Sequence, residues 1–183
     1  MLTLLSQTSK TPFQVDRQSA MFHSKLIEHS LSLNSETTSL ELDVPANILK
    51  LFSDFISFYK QEHPKPIPVP LPLSEDEFKY VVDPYSASLV DNLSPKDLFL
   101  LADKANFLDC VDLLELACAK VAHLFNQQRD DVEAIKTLLR AGTEDLTEEK
   151  LKESLQETLD RLIPPGSDKV DNKQDNNRDE VIN

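Results

Sequence analysis

The sequence predicts an α+β domain: a small three-stranded sheet packed with helices, continued by a helical extension. Three observations carry this. Apolar residues alternate only in two short stretches near the N-terminus, residues 2–16 and 40–44. From residue 46 onward they recur at helical spacing, interrupted by one proline-rich stretch. Residues 166–183 contain only Val170, Val181 and Ile182 as apolar residues, so they are expected to form a disordered tail.

The elements follow in order. Leu2 and Leu4, then Phe13 and Val15, mark two strands joined by a polar turn at residues 6–10, which holds no glycine. Residues 18–29 read as one short helix, with Ala20, Met21, Leu26 and Ile27 apolar. After a polar loop at 34–39, Leu40, Leu42 and Val44 alternate as a half-buried strand. A helix over 46–60 places Ile48, Phe52, Phe55, Ile56 and Tyr59 on one face, with Pro45 at its start. Pro64, Pro66, Pro68, Pro70 and Pro72 then alternate with other residues. That excludes helix and central strand, so residues 64–73 are expected to be a stiff extended spacer partly covering a sheet edge. A ligand for an aromatic groove is the less favoured reading, because these prolines show no PxxP spacing.

Further along, Ser94-Pro95 starts a helix over 97–109, with Leu98, Leu101, Ala102, Ala105 and Leu108 inward. Helices over 111–125 and 131–141 follow, the second carrying Val132, Ile135, Leu138 and Leu139, with Gly142 as its expected C-cap. Thr147 is expected to cap a last helix striped by Leu151, Leu155, Leu159 and Leu162 and stopped by Pro164 and Pro165. The helix over 111–125 is unusually apolar. At about 100° per residue, Leu114, Ala117, Cys118, Val121, Ala122 and Phe125 form one face, which Leu113, Leu116 and Leu124 extend. The apolar arc spans roughly 240°, leaving Asp112, Glu115, Ala119 and His123 for water and Lys120 at the margin. Such a helix is covered on two sides, either by the C-terminal helices of its own chain or by a partner.

The bulk chemistry excludes several function classes. The formal charge is -13 over 183 residues, which opposes nucleic acid and anionic membrane as partners. The N-terminus has no basic segment of a signal peptide, and no apolar run approaches the length of a membrane span, so the expected location is the cytoplasm and nucleus. The two cysteines, Cys110 and Cys118, lie in apolar stretches and are expected to be buried reduced thiols. His23, His29, His63 and His123 show no paired metal-ligand spacing, so no metal site is expected. Cys118 and His123, five residues apart on one helix, point about 140° away from each other and cannot act as nucleophile and base. Two glycines cannot build a phosphate loop. No enzyme, catalytic residue or cofactor is expected.

Several stretches together resemble one family. Leu98-Phe99-Leu100-Leu101, Ala105-Asn106-Phe107-Leu108-Asp109-Cys110 and Leu113-Leu114-Glu115-Leu116, with Cys118 and Val121-Ala122, are similar in order and spacing to the central stretch of the Skp family. Phe13-Gln14-Val15-Asp16 resembles the end of that family's opening hairpin. The resemblance covers roughly residues 2–155. It implies a BTB/POZ fold over residues 1–125, with a Pro-rich variable loop at 63–92. It further implies C-terminal helices at 126–163 that hold an F-box, and a disordered tail at 164–183. Skp proteins are adaptors that join a cullin scaffold to F-box substrate receptors in ubiquitin ligases. Carried over, cullin contacts fall to Asn106 and Phe107, and F-box contacts to Leu113, Leu116, Leu124, Ile135, Leu138, Leu139 and Leu146. Such an adaptor is a monomer or a weak homodimer. The rival readings are an elongin-C-like adaptor, which ends soon after the N-F-L-D-C stretch, and a self-associating BTB scaffold.

Overall fold

The computed structural model describes residues 1–68 and 78–143. The sheet has three strands in the order β2-β1-β3. Central β1 (Leu2–Ser6) pairs antiparallel with β2 (Pro12–Val15), setting Leu2 opposite Val15 and Leu4 opposite Phe13. It pairs parallel with β3 (Ser39–Leu42), setting Leu4 opposite Leu40. A parallel pair needs a crossover, and two helices supply it. Leu2, Leu4 and Ser6 point into the core. The buried Ser6 hydroxyl donates to the Val44 carbonyl at 2.7 Å, so the one polar side chain on that face is satisfied. Without a glycine in the hairpin turn, Lys10 takes the left-handed conformation, φ 52°.

The single helix expected over 18–29 is two. α1 (Arg17–His23) is capped by the Asp16 carboxylate, which accepts from the Ser19 amide. α2 (Lys25–Leu33) begins one residue later, because Ser24 is extended at φ -129°, ψ 113°. Ser24 ends one helix and caps the next: its hydroxyl oxygen accepts from the Ile27 amide and donates to the buried Leu108 carbonyl at 2.6 Å. A cap competes with helix continuation, and here a long-range bond adds to that local preference.

α3 (Ala46–Tyr59) presents the expected face, with Ile48, Phe52, Phe55 and Ile56 fully buried against the sheet and α1. It ends at Lys60, whose backbone sits at φ 56°, ψ -110°. The region expected as a loop over 63–92 contains two helices among its described residues, α4 (Phe78–Val81) and α5 (Pro84–Val90). The missed signal was Asp83-Pro84. The Asp83 carboxylate accepts from the Tyr85 and Ser86 amides and from the Tyr59 hydroxyl at 2.8 and 2.9 Å, tying α5 to the end of α3. Burial pushes the Tyr59 phenol up to about 12. Of the proline-rich segment, residues 64–67 line a small cleft with residues of α5 and of the helix that follows position 110, so they cover helices and not a sheet edge.

α6 (Pro95–Phe107) is capped by Ser94, whose hydroxyl accepts from the Asp97 amide, and buries Leu98, Leu101 and Ala105 as expected. α7 (Val111–Gln127) packs along it. α8 (Val132–Thr143) also packs on α6, and buries Leu138. Gly142 is not a C-cap but lies within α8. A Cβ built there would meet Cγ and Cδ2 of the Phe99 ring at 2.8 Å, so close approach to α6 explains the glycine. These elements lie in one compact unit, Met1–Glu144. The proposed last helix with Thr147, Leu151, Leu155, Leu159 and Leu162, the site residue Leu146 and the tail at 164–183 lie outside the described residues.

Candidate functional site

The C-terminus of α6 is built as a rigid corner. Asp109 takes the left-handed conformation at φ 50°, where glycine is the commoner choice. Its amide donates to the Asn106 carbonyl at 3.0 Å, and the Cys110 amide donates to the Ala105 carbonyl at 2.9 Å. These are the two bonds of a Schellman turn, and Ala105 and Cys110, the positions that flank it, are both buried. The carbonyls left over point at the N-terminus of α2. Leu108 O accepts from the Ser24 hydroxyl and, more weakly, from the Leu26 amide at 3.4 Å, and Asp109 O accepts from the Lys25 amide at 3.3 Å. One corner therefore finishes α6 and satisfies orphan donors of α2.

That corner displays Asn106 and Phe107. Asn106 is exposed and Phe107 is 42% exposed, so the corner presents an aromatic ring to solvent. Lys104 stands over the ring at 5.8 Å from its centroid. Phe107 borders a shallow groove whose other wall is α2, with Lys25, Glu28 and His29. Both residues assigned to the cullin face by resemblance are thus adjacent and accessible.

Among the described residues, those expected to hold an F-box do not form one surface. Leu113 and Leu116 are 0% and 2% exposed and belong to the chain's own core, which removes them from reach of a partner, as does the burial of Leu138 at 4%. Leu124 and Ile135 are half-buried, and Leu139 is 49% exposed on α8 beside exposed Val132.

α7 is turned relative to its expected orientation. Ala119 and His123, expected in water, are each 5% exposed, and Lys120 is 8% exposed. The cover comes from α4 and α5. Lys120 Nζ lies 2.7 Å from the Asp91 carboxylate and 4.7 Å from the Phe78 ring centroid, and the His123 ring lies 5.3 Å from Phe78. Burial, then the neighbouring Lys120 charge, lowers the His123 pKa. The opposite strip keeps Leu114, Val121 and Phe125 half-buried and Cys118 and Ala122 exposed. A wheel counts apolar residues but does not see that a lysine can be buried when its charge is paired and its stem lies on an aromatic ring.

The two cysteines also part. Cys110 is buried, which pushes its thiol up to about 12, whereas Cys118 is exposed and not buried as expected. Cys118 and His123 fall on opposite sides of α7, one exposed and one buried, so no thiol–imidazole pair forms. No helix among the described residues is long and apolar enough to cross a membrane. Sequence reasoning missed one cluster. His23, His63 and Asp112 come together although separated by 40 and 49 positions.

No family model matches the chain. It is similar to the S-phase kinase-associated protein 1 homolog of Tetrahymena thermophila, with 34% identity over 123 residues, covering 64% of this chain and 70% of that protein. The chain therefore belongs to the S-phase kinase-associated protein 1 family, the Skp family.

Proposed function

We propose that this chain is a non-catalytic adaptor with a BTB/POZ fold that links a cullin scaffold to F-box substrate receptors in a ubiquitin ligase. Family membership supports the adaptor role. The observation that carries the cullin assignment is the exposed Phe107 ring, held beside Asn106 on the corner between α6 and α7. Aromatic anchors on rigid elements are what interface hot spots use, because little ordering entropy is lost when they bind. The F-box is met by the α8 surface through half-buried Ile135 and exposed Leu139, with Leu124 and Leu146 as further contacts, while Leu113, Leu116 and Leu138 serve the interior of the domain. An ordered α8 packed on α6 favours the Skp-type over the elongin-C-like reading. The chain acts in the cytoplasm and nucleus as a monomer or weak homodimer.

The test is capture of a purified cullin and a purified F-box protein by the full chain and two variants. Phe107→Ala is expected to weaken cullin capture at least tenfold, the order of 1.4 kcal/mol or more for a hot-spot aromatic, and to leave F-box capture unchanged. Leu139→Asp is expected to do the reverse. Retention of both partners by both variants overturns the residue assignment. Capture of neither partner by the unaltered chain, with a stable homo-oligomer on sizing, replaces the proposal with a self-associating scaffold.

A further inference from the structure

His23 closes α1, and its side chain is fully buried, yet neither ring nitrogen has a hydrogen-bond partner. An imidazole always carries at least one N–H or lone pair that needs one, and a buried polar group left unmet calls for a missing partner. Its Nδ1 lies 3.4 Å from Asp112 Oδ2, in the first turn of α7. From the other side comes His63, just before the proline-rich segment. Its ring rests on Phe22 at 4.7 Å, and its Nδ1 lies 2.7 Å from the same Asp112 oxygen. One ligand atom from each of the three residues lies within 4.8 Å of the others.

We propose that His23, His63 and Asp112 form a binding site for a divalent first-row transition metal, zinc above all. A tetrahedral zinc with bonds of about 2.0–2.1 Å sets its ligand atoms about 3.3 Å apart. The His23–Asp112 separation already matches that spacing. The His63–Asp112 pair must open by about half an ångström, and the third ligand separation, bounded by 4.8 Å, must also come to about 3.3 Å. The His63 side chain, 66% exposed, can pivot to make both adjustments. The ligand set, two imidazoles and one carboxylate, suits zinc and leaves the fourth position to water on the exposed side of His63. Phe22 and Phe55 pack against His23 and fix its ring. The adjoining cleft carries Asp83, Asp112 and Glu115 against one lysine, Lys65, a balance that attracts a cation. The ion would replace the His63–Asp112 hydrogen bond, satisfy a nitrogen of His23, and fasten the start of the proline-rich segment to α1 and α7.

The experiment is calorimetric titration of the full chain with zinc chloride, compared with His63→Ala, Asp112→Asn and the off-site control His29→Ala. His63 and His29 are exposed, so neither substitution threatens the fold, and circular dichroism checks this for Asp112→Asn. One zinc per chain is expected, with affinity at least tenfold weaker in His63→Ala and Asp112→Asn and unchanged in His29→Ala. Absence of saturable binding overturns the site, as does binding to folded His63→Ala as tight as to the unaltered chain. Cobalt used as the probe should give a tetrahedral absorption band that His63→Ala lacks, and an octahedral spectrum in the unaltered chain would also overturn it.

Discussion

Replacing Ser24 by alanine tests how the corner that holds Phe107 is fixed. The hydroxyl does two things. It caps α2 by accepting from the Ile27 amide at 3.2 Å, and it donates to the Leu108 carbonyl at 2.6 Å across 84 positions of sequence. Loss of a serine cap costs about 1 kcal/mol. Loss of the donor to a buried carbonyl adds about 1–2 kcal/mol, at the lower end here because the Leu26 amide still approaches that oxygen at 3.4 Å. The expected total is about 2–3 kcal/mol. For a urea m-value of about 2 kcal/mol/M, the unfolding midpoint falls by about 1–1.5 M. Ser24→Gly separates the two contributions. Glycine is nearly as good a cap as serine, so it should lose only the Leu108 bond and cost less than alanine. Urea titrations followed by circular dichroism measure both. A loss below about 0.5 kcal/mol in Ser24→Ala, within the range of ordinary surface changes, would refute the dual role. So would a glycine variant less stable than the alanine one.

Three further outcomes are expected. Gly142→Ala, which in an ordinary helix would gain about 1 kcal/mol, should instead lose about 1 kcal/mol as the new methyl meets Phe99; in a Phe99→Ala background it should become stabilising, as thermal melts of the four proteins would show. Lys60→Gly should gain about 1 kcal/mol by relieving the φ 56°, ψ -110° backbone after α3, raising the melting midpoint by a few degrees. Burial raises the Asp83 pKa, but hydrogen bonds from Ser86, Tyr59 and the Tyr85 amide outweigh it and hold the carboxyl below its usual value. The stability it confers is therefore present above the unfolded value of about 4 and lost as pH falls through the lower folded one. Urea midpoints taken across that range should drop less steeply for Asp83→Asn than for the unaltered chain.

Much of the fold was legible because periodicity and caps agreed locally. Leu2, Leu4 and Val15, the α3 face and the Ser94-Pro95 start of α6 each follow from residues close in sequence. Failures came where a distant residue decides. Ser24 breaks a helix that local pattern would continue, with help from Leu108. Gly142 reads as a cap until the Phe99 ring is seen beside it. His123 looks solvent-facing and Lys120 marginal until Asp91 and Phe78 cover them. The candidate site divides in the same way. Asn106 and Phe107 were readable through a family stretch and proved accessible. Leu113, Leu116 and Leu138 could not be told from core leucines by pattern alone, since the same stripe serves both uses. The His23, His63 and Asp112 cluster has no spacing signature, because α1, the chain leaving α3, and α7 meet only in three dimensions.

The order β2-β1-β3 has a further consequence. Among the described residues, with β1 bonded on both sides, the sheet ends in two strands of only four residues each. One of them opens with Pro12, which has no amide hydrogen to offer. The other, β3, uses the Leu42 carbonyl inward, where it accepts from the Gln7 amide at 2.9 Å. A neighbouring molecule therefore finds too short a ladder to extend, and fibril growth by edge addition has little to start from. With a charge of -13 keeping copies apart, the native fold should stay dispersed at concentrations where a longer exposed edge would aggregate.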